Sequence, residues 1–338
     1  MNATVTVAGT PGYKNRSTGL LVFGIIQILL GALCLLMLPL MALAMVMSKY
    51  VPDSGGASLQ AGSMLVSLAF YLLLAAWFIV MGIGSIRARR WARALVLVVS
   101  WFWLFVGVAS LAFMLLLLPN LLRMIRAESG QTAPGIFEVV FTVTMLGMLL
   151  VMYILIPGAF VLFYRSPHVR ATCEARDPKV RWTDRCPLPV LGLSLALGFW
   201  ALGMLSMGLY NWVLPFFGLL LSGWAGAAVV LASALLLGWI AWGAYRLQPS
   251  AWWGALLFVL LWATSLAATF SRVNFLEFYT RMKMPMEQIR LMQQYDILNN
   301  AMMLPAMLIW FVFGLGYLLY IRYHASVDKG SIGFQNPG

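Results

Sequence analysis

Two groups of residues have the types and spacing that metal chemistry uses. The first lies midway along the chain, in "HVRATCEARDPKVRWTDRCP" (168–187), which holds two of the three cysteines and one of the two histidines. Structural zinc takes four Cys and His ligands in a tetrahedral shell, usually with one closely spaced cysteine pair. Here Cys173 and Cys186 are far apart in sequence, so a closed site needs both His168 and His324. The competing expectation is a connecting loop with reduced thiols, which its inner-side placement favours over a disulfide. The second group is "YTRMKMPMEQIRLMQQYD" (279–296), where Met282, Met284 and Met286 alternate and Met292 follows. Soft thioethers suit Cu(I). The same residues also suit an amphipathic helix opened by Pro285, with Ile289, Met292 and Leu298 on its apolar face.

Other chemistry is sparse. There is no HExxH, GxSxG or Walker A pattern, and no carboxylate pair near a membrane face. Glu174, Asp177 and Asp184 share a loop with six basic residues, which reads as solvated salt bridges. Glu138 stands at the outer edge of an apolar segment, at headgroup level. Gln27 is the best mid-span polar residue, suited to a helix–helix hydrogen bond of about 0.6–2 kcal/mol. These observations point away from an enzyme, and no cofactor is implied.

The elements that must position these residues are membrane helices. The chain of 338 residues is 62% hydrophobic and 9% charged, whereas a soluble chain carries about 25% charged residues. Most of its surface must therefore face lipid. Eight segments reach the roughly 20 apolar residues a span requires: 19–47, 61–86, 94–118, 139–164, 188–210, 216–245, 251–271 and 301–321. None contains a charged residue or a histidine. The apolar run 188–245 is broken only by "YNWVLP" (210–215), which reads as a tight turn because Pro215 disfavours a continuous helix. The first segment is too long for a signal-peptide core, so a retained first helix is expected.

With eight spans and the N-terminus inside, fifteen of the 22 lysines and arginines fall on the inner side. The positive-inside rule then places both termini in the cytoplasm of a bacterium, with the protein in the inner membrane. The net charge of +12 reads as this bias plus attraction to anionic headgroups, not as nucleic-acid binding.

The expected fold is all-α: a polytopic bundle of about eight transmembrane helices in two parallel four-helix repeats. Residues 1–18 form an N-terminal tail, 19–164 a first unit, 165–187 a linker, 188–321 a second unit and 322–338 a C-terminal tail. "RWARALVLVVSW" (90–101) matches "AWWGALLFVLLW" (251–262), pairing Trp91 with Trp252 and Trp101 with Trp262. Each follows a helix ending in "GSIR" (84–87) or "GAYR" (243–246), and near the unit ends Tyr164 pairs with Tyr320 and His168 with His324. Small residues at Ser222/Gly226 and Gly223/Ala227 are spaced for close helix approach.

"RSTGLLVFGIIQILLGALCLL" (16–36) and "RRWAR" (89–93) resemble a loose group of small four-helix bacterial membrane proteins of unknown function. The resemblance covers about half the chain and implies membrane topology without an activity. The expected function is that of a structural or accessory subunit docking other membrane proteins, or a second copy of itself, within the lipid bilayer. The alternatives are a transporter or channel for a hydrophobic or uncharged solute, and outer-face Cu(I) handling by the Met-rich segment.

Overall fold

The computed structural model describes residues 14–47, 57–128, 135–284, 286–294 and 300–332. The architecture is all-α apart from one short hairpin. Among the described residues, seven helices are long and apolar enough to cross a membrane: Ser17–Leu43, Val66–Ile86, Arg90–Pro119, Val139–Arg165, Leu188–Tyr210, Gly223–Tyr245 and Pro249–Phe270. A shorter apolar stretch, Met307–Tyr323, lies where the eighth span is expected. The protein is a multi-pass integral membrane protein.

Two compact units divide the chain, one of residues up to Leu111 with Val139–Leu188, the other of Ala112–Glu138 with Pro189 onward. Residues 165–187 group with the first unit.

In the first unit, α1 (Ser17–Met47) and α2 (Ala57–Ile86) form the dominant helix pair. Glycines let their backbones approach. A methyl at Gly24 would collide with the Gly82 carbonyl and the Ile86 side chain, and one at Gly82 with the Gly24 carbonyl. One heptad along, a methyl at Gly31 would press on the Ala75 carbonyl and Ile79. Contacts repeating every seven residues are those of a left-handed helix pair, and small residues supply close packing where lipid removes the hydrophobic drive.

The fourth predicted span is α4 (Gly135–Leu150), a π turn (Val151–Leu155) and α5 (Ile156–Arg165). Pro157 explains the π turn: it has no N–H to give the Tyr153 carbonyl and its ring would strike that oxygen. The displaced carbonyl faces Gly107 of α3 (Arg90–Glu128), where any side chain would collide with it. After α5 come α6 (Pro167–Arg176) and a short 3-10 turn, Trp182–Asp184.

The second unit packs α7 (Leu188–Leu205), α8 (Gly223–Tyr245), α9 (Pro249–Phe270) and α12 (Asn300–Ile332) around one apolar core. Trp200 meets Phe258 and Trp262 edge-on at 5.4 and 6.3 Å. Ser194 Oγ donates to the Ala241 carbonyl (2.7 Å), tying α7 to α8. Tyr317 Oη donates to the Pro189 carbonyl (2.7 Å), tying α12 to the start of α7. Between α9 and α12 run α10 (Phe275–Arg281) and α11 (Met286–Gln294).

The expected tight turn at 210–215 is instead a hairpin, β1 (Leu214–Phe216) paired with β2 (Leu219–Leu221). Phe217 and Gly218 both have positive φ, 42° and 95°, the backbone of a two-residue hairpin turn. Their amides donate to Ser265 Oγ and Thr269 Oγ1 of α9, both at 3.0 Å. Arg281 Nη1 donates to the Leu220 carbonyl at 2.6 Å. A two-stranded hairpin is marginal alone; here α9 and α10 satisfy its free backbone groups. Of the expected small-residue contacts, Gly226 does meet the Trp212 carbonyl, while Gly223 has open space around it.

Candidate functional site

The densest polar constellation lies in the first unit, where α6 and the 3-10 turn meet the α2–α3 turn. Pro167 presets the first turn of α6. The helix ends at Arg176 because Asp177 precedes Pro178 and is pushed out of helical backbone. That break turns the Asp177 carboxylate toward α3. Arg181 grips it with two prongs, Nη2 at 2.8 Å and Nε at 3.2 Å. Arg89 Nη1 lies 3.6 Å away, and the Arg90 amide donates at 3.4 Å. Since Arg90 is the first residue of α3, Asp177 caps that helix from outside and meets the positive end of its dipole.

The Asp177 side chain is 2% exposed. It is not the solvated group expected from the sequence, but a buried carboxylate surrounded by cations. The Arg181 hydrogen bond, ahead of the charges of Arg181 and Arg89, holds its carboxyl below the usual range despite burial. Around it, Arg90 bridges Asp184 (3.3 Å) and Glu174 (3.6 Å), and Arg170 reaches Glu174 at 2.8 Å. The Asp184 carboxylate also accepts the Arg181 amide at 2.9 Å. On the opposite flank Thr172 Oγ1 accepts the Arg16 amide (3.1 Å) at the start of α1. This segment therefore caps two membrane helices.

Below the clamp runs a buried hydrogen-bond chain. Ser85 Oγ of α2 donates to the Leu20 carbonyl of α1 at 3.1 Å. That leaves the Tyr164 hydroxyl of α5 to donate to Ser85 Oγ. Gln27 Nε2 of α1 donates to Tyr164 Oη at 3.3 Å, the helix–helix bond expected of Gln27. Its Oε1 is buried without a partner.

The expected zinc ligands fall at these places. Cys173 lies buried in α6 and Cys186 buried beyond the 3-10 turn; both thiols are free. Burial pushes each thiol up to about 11. His168 is half-buried in α6. His324 falls in α12, in the second unit, and its side chain is outside the described residues. Among the described residues no three His, Cys, Asp or Glu side chains form a metal-holding group.

Met282 and Met284 are half-buried in the turn between α10 and α11, and Met286 is exposed at the start of α11. Ile289 is buried, as the amphipathic reading expects. The side chains of Met292 and Glu138, and all of Leu298, lie outside the described residues.

The clamp itself escaped the sequence reading, although a signal for it existed: three acids and two arginine clusters all assigned to one side of the membrane. Comparison with known families, curated proteins and solved structures finds no match to this chain.

Proposed function

We propose that this chain is a non-enzymatic accessory or structural subunit of the bacterial inner membrane, with both termini cytoplasmic, that docks other membrane proteins through its outward helix faces. The observation that carries this reading is how the first unit uses its polar side chains. Asp177, Asp184, Glu174 and their arginines bind one another, and Tyr164, Ser85 and Gln27 do the same below them. Their work is to hold helix ends together. The groups facing outward are large and apolar, as on α8, where Trp224, Leu231, Leu235 and Trp242 are 93%, 45%, 76% and 55% exposed at helical spacing, a face that lipid or a partner helix would cover. The tandem four-helix organisation and the resemblance to small four-helix membrane proteins fit the same role.

Transport of an uncharged solute is the second reading, favoured by the buried, unpartnered Gln27 oxygen. Native mass spectrometry of the chain extracted with its lipids separates the two. The docking reading expects a stoichiometric protein partner or a second copy. A chain that runs alone and carries solute flux when reconstituted by itself overturns it.

A further inference from the structure

Beside the clamp lies a cavity of about 390 Å³, open to one side and lined wholly by the first unit. Part of its wall is made by Arg87, Arg89 and Arg181, although the lining surface as a whole is mostly apolar. The apolar part is formed by Val80 and Ile83 of α2, with the Trp91 ring. Trp91 closes over Gly84, where a methyl would fall 3.0 Å from the ring and 2.6 Å from the Ala92 methyl. The missing side chain at Gly84 is thus what lets the ring sit there.

The charges do not cancel. Asp177 is paired to this wall, and Arg181, Arg89 and the Arg90 amide already occupy its oxygens. Glu174 and Asp184 pair with Arg90, outside the cavity lining. Arg87 is exposed and makes no ion pair or side-chain hydrogen bond among the described residues. Asp177 faces Arg181 and Arg89, and Asp184 also faces Arg181, so Arg87 is the lining guanidinium left without a carboxylate among the described residues.

The cavity also straddles a boundary. Val80 and Ile83 belong to the last turns of the span ending at Ile86, and Trp91 to the first turn of the span starting at Arg90. Apolar lining in the last turns of one span, with arginines and a tryptophan just beyond it, suits a molecule with an apolar tail and an anionic head. We infer that this cavity binds one anionic phospholipid, its phosphate held by Arg87 and Arg89 and its upper acyl chain lying on Val80 and Ile83 beneath Trp91. Guanidiniums pair with phosphate oxygens in two-pronged fashion, and basic pockets between membrane helices bind acidic headgroups. The volume lies within the roughly 300–1,000 Å³ of ligand sites.

The test uses the full-length chain in a neutral detergent, titrated with phosphatidylglycerol, phosphatidylcholine of the same acyl chains, or glycerol 3-phosphate, and read by native mass spectrometry. One phosphatidylglycerol should be retained per chain, at least tenfold more tightly than phosphatidylcholine, with no retention of glycerol 3-phosphate. Arg87→Ala with Arg89→Ala should lower that affinity at least tenfold. Ile83→Trp, which fills the apolar wall and leaves the arginines, should also lower it. Because Arg89 touches the clamp, Arg87→Ala alone is the control for folding and should cost about threefold or more. Equal retention of the two lipids, unchanged binding by Arg87→Ala, or glycerol 3-phosphate binding as tight as the lipid overturns the proposal; the last result would leave an anion pocket only.

Discussion

The α2–α3 and α8–α9 turns close with the same backbone and are secured by different chemistry. In the first, the amides of Arg87, Ala88 and Arg89 bond to the carbonyls of Ile83, Ser85 and Gly84. In the second, those of Arg246, Leu247 and Gln248 bond to Trp242, Ala244 and Gly243. Ala88 and Leu247 occupy the same left-handed position, at φ 50° and 59°. In each turn the glycine faces the alanine of the next helix, Gly84 against Ala92 and Gly243 against Ala251. Counted from these turns, Trp91 corresponds to Ser250 and not to Trp252, so the Trp91–Trp252 match is displaced by two residues.

What surrounds each turn differs. The first is held by carboxylates: Asp177 caps α3, and Asp184 and Glu174 bind Arg90. The second has aromatic rings in that place. Arg246 lies over Trp242 at 4.8 Å, Arg322 over Trp252 at 4.8 Å and Trp253 at 5.0 Å, and Trp252 Nε1 donates to the Leu318 carbonyl at 2.8 Å. Tyr164 and Tyr320 differ likewise, since Tyr164 is fully buried and Tyr320 is 47% exposed. A shared backbone turn does not dictate how its arginines are neutralised. Carboxylates make the first turn sensitive to pH; cation–π stacking makes the second indifferent to it.

The largest effect should come from the glycine seam, which the second unit does not use. Gly82→Leu places a side chain against the Gly24 carbonyl and Ile28. It should cost about 3 kcal/mol or more in reversible unfolding of the purified protein. Next is Asp177→Ala, which removes charged hydrogen bonds worth about 1.5–3 kcal/mol together and should destabilise the first unit alone. The pH dependence has a definite sign. The folded carboxyl binds its proton less readily than the unfolded one, near 3.9. The contribution is thus complete above about pH 5 and fades as pH falls through the ordinary value and below it. An acid titration of melting temperature should show this loss in the wild type and not in Asp177→Ala.

Trp252→Phe removes one hydrogen bond and weakens one cation–π contact, for about 1–2 kcal/mol in the second unit, with no pH dependence between 4 and 7 (a flat difference in melting temperature against wild type). The smallest effect sharpens the likeness instead of breaking it. Leu247→Gly should stabilise by about 0.5–1 kcal/mol, since glycine accepts positive φ and Leu247 is half exposed. Ala88→Gly should gain less, because the Ala88 methyl is fully buried.

Much of this was legible in the sequence. Long charge-free segments mark the spans, because lipid tolerates few other helices. Gln27 stood out as the polar residue of its helix and does make a bond across helices. The hairpin was not legible, because "LPFFGLLL" is as apolar as a helix and apolar runs show no period. Only the Phe217–Gly218 turn, with glycine second, hinted at it. Pro157 marked a break in the fourth span, but a proline alone does not say whether the helix kinks, ends or widens into a π turn. Burial of Asp177 was hidden because, beyond nearby Arg181, its partners Arg89 and Arg90 lie far away in sequence. The heptad spacing of Gly24 with Gly31 and of Ala75 with Gly82 was visible, but sequence alone does not say which two helices meet.

The central claim is that residues 167–185 form a clamp on the first unit, locked by the Asp177 carboxylate. Hydrogen–deuterium exchange of wild type and Asp177→Asn at pH 7 tests it most directly. The account predicts protected amides across α6 in the wild type. In the variant, exchange should be faster by tenfold or more in α6 and at the start of α3, and unchanged in α9. Equal exchange in the two proteins, or rapid exchange of α6 in the wild type, would contradict the claim.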